Sequence, residues 1–88
     1  MPSFAVEVYT TGLGRSDLEA LGARIQAASQ DVVLEGQGVR FLESIFFPAD
    51  ELCLHLFEGP SAEAVGRTSE RAGLVAERVV EAVRSRGR

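Results

Sequence analysis

Apolar and polar positions alternate from Pro2 to Thr10. Phe4, Val6 and Val8 fall on one side, and Ala5, Glu7 and Tyr9 on the other. A period of two with one clearly apolar side predicts a strand. Gly12 and Gly14 then break the pattern, and Ser16 with Glu19 reads as a Ser-x-x-Glu capping box. Leu18, Leu21, Ile25, Ala28 and Val32 recur at steps of three and four. That spacing predicts a helix from about Asp17 to Leu34, closed by Gly36 and Gly38. Val32-Val33-Leu34 is also compatible with extended chain, so the state of residues 32–35 stays open.

Val39 to Phe47 is rich in β-formers and predicts a second strand. Strict alternation puts Val39, Phe41, Glu43, Ile45 and Phe47 on one side and Arg40, Leu42, Ser44 and Phe46 on the other. Pro48 to Glu51 is a turn, and Leu52 to Glu58 a third strand, so the two strands form an antiparallel hairpin. On the third strand Leu52, Leu54 and Leu56 alternate with Cys53, His55 and Phe57. Ser61 is the N-cap of a second helix, whose packing stripe is Ala64, Val65, Thr68 and Ala72 and whose end is Gly73. Arg78 to Val83 predicts a fourth strand; helical continuation through residues 75–84 is the rival. Arg84 to Arg88 is a polar, frayed tail.

The order β-α-β-β-α-β defines an α+β fold, the ferredoxin-like plait: one four-stranded antiparallel sheet with two helices on one face. The chain, residues 1–88, is read as a single domain. With Phe4, Val6, Val8 and the three leucines of strand three assigned to the helices, the other face carries Ala5, Glu7, Tyr9, Cys53, His55 and Phe57. Such a face is too apolar to remain in water. A second copy would cover it, giving a homodimer in the form of a dimeric α/β barrel with an internal cavity.

Composition narrows function mainly by exclusion. The 88 residues are 45% hydrophobic and 25% charged, as in ordinary globular domains. The net charge of -4 argues against a nucleic-acid partner, which needs a basic face. No apolar run reaches the ~20 residues of a membrane span, and no basic-then-apolar leader is seen, so a cytoplasmic chain without membrane contacts is expected. One cysteine excludes an internal disulfide, one histidine excludes His-x-x-x-His sites, and the absence of lysine excludes Schiff-base catalysis. Gly12-Leu13-Gly14 does not complete a dinucleotide fingerprint, because Asp17 stands at the third glycine position.

On the second sheet face, Glu7, Tyr9, Cys53, His55 and Phe57 are the expected ligand-lining residues. His55 and Glu7 are the candidates for acid–base work. Arg40 is a candidate partner for the Glu7 carboxylate. Phe41, Phe46, Phe47 and Phe57 offer rings for stacking or for packing. Against these readings stand plainer ones: His55 as a hydrogen-bonded structural residue, and Cys53 as a small buried apolar one.

The run from Ser44 to Val65 reads Ser-Ile-Phe-Phe-Pro-Ala-Asp-Glu-Leu-Cys-Leu-His-Leu-Phe-Glu-Gly-Pro-Ser-Ala-Glu-Ala-Val. With Glu70-Arg71-Ala72-Gly73-Leu74, Arg78-Val79-Val80-Glu81-Ala82-Val83 and the Met1-Pro2-x-Phe4 start, it resembles the DUF4242 or SCO4226-like family of small bacterial proteins. The resemblance implies a ferredoxin-like fold that dimerises through its sheet, and nickel as a possible cofactor. Metal ligands of some members include first-strand histidines. Here that strand is Val6-Glu7-Val8-Tyr9-Thr10, so no metal ligand carries over. Two functions follow as expectations: a homodimeric protein binding a small ligand or metal between facing sheets, or a cofactor-independent isomerase, cyclase or monooxygenase acting on an apolar small molecule in the same cavity.

Overall fold

The computed structural model describes residues 1–34, 38–85 and 87, and the side chains of all of these but 31–34. Seven elements follow in order: β1 (Ser3–Tyr9), α1 (Arg15–Leu34), β2 (Arg40–Phe47), a short 3-10 turn (Pro48–Asp50), β3 (Leu52–Glu58), α2 (Ala62–Arg71) and β4 (Arg78–Ala82). The strands form one antiparallel sheet in the order β2-β3-β1-β4. This is the expected ferredoxin-like arrangement.

Local chemistry fixes the ends of the elements. The N-cap expected at Ser16 lies two residues earlier, at Gly14. The helix begins at Arg15, and the Asp17 carboxylate accepts from the Gly14 amide at 2.9 Å. Ser16 therefore sits inside the first turn. Residues 32–34 are helical, while Glu35 and Gly36 lie outside the described residues. In α2, Ser61 Oγ accepts from the Ala64 amide at 3.2 Å, as the N-cap reading requires. At its other end the Gly73 amide donates to Glu70 and the Leu74 amide to Ser69, both at 2.9 Å. Those two bonds define a Schellman end, and Gly73 has the positive φ of 79° that it needs. Extended backbone after Gly73 brings β4 against β1 from Ser3↔Ala82 to Glu7↔Arg78, which excludes helical continuation there.

The core lies between the sheet and the two helices. Phe4, Val6 and Val8 meet Ile25 and Ala28 of α1, and Ala64 and Val65 of α2, with Val39, Phe57, Ala72 and Leu74 completing the cluster. β1 thus presents the side that its alternation predicts.

β3 does not. Directly paired residues on neighbouring strands share a face, and the register sets Phe4 against Phe57, Val6 against His55 and Val8 against Cys53. Phe57, His55 and Cys53 therefore face the helices, and Leu52, Leu54 and Leu56 lie with Tyr9, Glu7 and Ala5 on the open side. A shift of one residue would exchange the two sets. Since both sets are apolar, composition does not choose between them. Pairing with β1 does.

β2 departs from strict alternation for a different reason. Its register jumps between Phe41 and Glu43, a β-bulge at Leu42. Before it, Phe41 faces the core, its ring 5.4 Å from that of Phe57. After it, Ser44 and Phe46 pair with His55 and Cys53 on the helix side, while Glu43, Ile45 and Phe47 pair with the leucines on the open side.

Candidate functional site

The five expected ligand-lining residues divide between the two faces of the sheet. Cys53, His55 and Phe57 are fully buried under the helices, each 0% exposed. Glu7 and Tyr9 lie on the open face, Glu7 half-buried and Tyr9 exposed. The expectation that all five share one face is corrected by the β1–β3 register. Of the two acid–base candidates, only Glu7 faces the open side.

On the helix side, His55 occupies the middle of the central strand β3, flanked by Val6 and Ser44. Its Nδ1 is 2.6 Å from Ser44 Oγ, and Cys53 Sγ lies 3.9 Å from the same nitrogen. The buried Nε2 has no hydrogen-bond partner among the described residues. Removal from water disfavours the imidazolium and lowers the His55 pKa to about 4. The same cause pushes the Cys53 thiol up. At neutral pH this is a neutral imidazole beside a protonated thiol, so neither is an activated nucleophile or a general base accessible to a ligand.

The open side has a different chemistry. Its centre is apolar: Ala5, Leu54 and Leu56, bordered by Leu52, Ile45 and Phe47. Around that centre, among the described residues, stand three ion pairs. Glu7 pairs with Arg78 across β1 and β4. Glu58 Oε1 is 3.3 Å from Arg40 Nε, and Glu43 Oε1 is 3.6 Å from Arg84 Nη2. Arg78, not Arg40, is thus the partner of Glu7. Sequence reasoning missed both this pairing and the leucine-rich centre. The β1–β4 register carries the signal for the first, because it sets Arg78 opposite Glu7.

Two grooves, of about 380 and 280 Å³, flank the start of α1 and share Leu13. Neither includes any of the five expected residues.

Nickel and similar borderline metals favour imidazole and thiolate donors. The donor set here does not fit that need. The chain has one histidine and one cysteine, and both are enclosed in the core. Among the described residues no group of three or more His, Cys, Asp or Glu side chains is placed to hold a metal.

Sheet order, helix placement and register define a ferredoxin-like α+β domain with one face covered and one open. Residues 12–82 match the family model described as nickel responsive protein SCO4226-like, and the chain belongs to that family. It is similar along 96% of its length to the crystal structure of SCO4226 from Streptomyces coelicolor A3(2), at 30% identity and a TM-score of 0.79, covering 99% of that chain. No curated protein matches. No helix among the described residues is long and apolar enough to cross a membrane.

Proposed function

We propose that this chain is a homodimeric binding protein that holds a small apolar ligand between two facing sheets. The observation that carries the reading is the open sheet face, where an apolar centre is framed by ion-paired side chains. Leu54, Leu56 and Ile45 would form the walls, and the Tyr9 hydroxyl and Glu7 carboxylate would supply polar contacts at the margin. A few converging polar groups in an apolar space are the usual composition of a small-molecule site.

The occupant of this face is a second copy of the chain. The molecule carries a net charge of -4, so two copies repel at long range. The open face itself is compensated, because Glu7, Glu43 and Glu58 each have an arginine. A face with paired charges around an apolar centre can meet its own image about a two-fold axis without stacking like charges. The helix-covered side has its core residues enclosed, whereas on the open side Ala5 and Leu56 are enclosed but Ile45, Phe47 and Tyr9 are not.

Native mass spectrometry of the purified chain tests the reading. A dimer retaining an organic mass is expected. A folded monomer, or a dimer that retains nothing and takes up no apolar probe such as N-phenyl-1-naphthylamine, would overturn it.

A further inference from the structure

The family description names nickel, and the residues of this chain oppose it. We infer that this member of the family holds no nickel site, either within one copy or between two. Within one copy, the imidazole of His55 and the thiol of Cys53 are the whole supply of nitrogen and sulfur side-chain donors that nickel favours. His55 Nδ1 is engaged by Ser44 Oγ at 2.6 Å, and both side chains are completely enclosed. Two donors cannot complete a coordination sphere, and the described residues supply no third beside them.

Between two copies the count doubles but the geometry forbids its use. His55 and Cys53 lie on the helix side of the sheet, in register with Val6 and Val8. If two open faces meet, the imidazoles point away from the joint and each is screened by its own sheet. The carboxylates that do face the joint, Glu7, Glu43 and Glu58, are each held by an arginine. A cation there would meet carboxylates whose charge a guanidinium already offsets, with no imidazole or thiolate beside them. The enclosure of His55 and Cys53 is a property of one copy, whether or not a second binds.

Nickel chloride titrated calorimetrically into the full chain, after treatment with a chelator, tests this directly. A parallel thermal melt gives a second readout. No saturable heat and no change in melting temperature are expected. Saturable binding with a dissociation constant below about 100 μM, or a nickel-dependent rise in melting temperature, would overturn the inference. It would do so whichever of His55→Gln or Glu7→Gln abolishes the effect. Sedimentation of the same sample reports the oligomeric state separately, so a failed dimer reading and a failed nickel reading are told apart.

Discussion

The two faces of one sheet are built from similar amounts of apolar side chain and treat them in opposite ways. On the helix side Phe57 meets Phe41, Val6 and Ile25 share one cluster, and even His55 has Ser44, while on the open side Ala5 and Leu56 are buried too. On the open side Ile45, Phe47 and Tyr9 remain 39%, 41% and 62% exposed. What separates the faces is not hydrophobicity but which one the two helices reach. A helix-covered face is completed by folding, whereas an open apolar face is completed by association.

That contrast is broken most severely at Phe57. Truncation to alanine should cost about 3–5 kcal/mol, as for other buried aromatics, and Phe57→Asp should abolish folding altogether. Circular dichroism during denaturant unfolding measures both. An equal loss on the open side is not expected. Leu54→Lys places a charge opposite Glu7, where a single copy tolerates it but a second copy facing it does not. Dissociation with an unchanged circular dichroism spectrum is the expected result, read by sedimentation. Unfolding instead would mean that the open face is part of the monomer's own core.

The helix side should also carry a pH signature that the open side lacks. His55 titrates near 4 in the folded chain and near 6.5 when unfolded. Between these values the unfolded chain binds the extra proton, so stability falls as pH falls through that window. The His55 share amounts to about 2 kcal/mol between pH 7 and pH 5. Denaturant midpoints at the two pH values measure it, and His55→Gln should flatten the slope. The smallest effect belongs to the open side. Glu7→Gln removes the charge facing Arg78, whose side chain is 67% exposed. In a single copy this pair is worth under about 1 kcal/mol. A larger loss at a concentration where the protein is associated than at one where it is monomeric would mean that association buries the pair.

How much of this was legible in the sequence depended on contrast between neighbouring positions. β1 was readable because Phe4, Val6 and Val8 differ in kind from Glu7 and Tyr9. The caps of α2 were readable because Ser61 and Gly73 have few other uses at those positions. β3 was not, because leucines alternate with Cys53, His55 and Phe57, and each set is a credible core. The side was decided by pairing Phe4 with Phe57, a contact 53 residues apart in the chain. β2 failed for another reason: the bulge at Leu42 inserts one residue, and every face assignment made by parity across it is reversed. The candidate site inherited both errors, so Glu7 and Tyr9 were grouped with residues that lie on the far side of the sheet.

Closure of the open face on a second copy of the chain is the proposal on which the rest depends. Sedimentation equilibrium of the unmodified protein at micromolar concentration tests it most directly. A single species of twice the 9.5 kDa chain mass is expected. A folded species of 9.5 kDa, with Ile45, Phe47 and Tyr9 still in water, would contradict it.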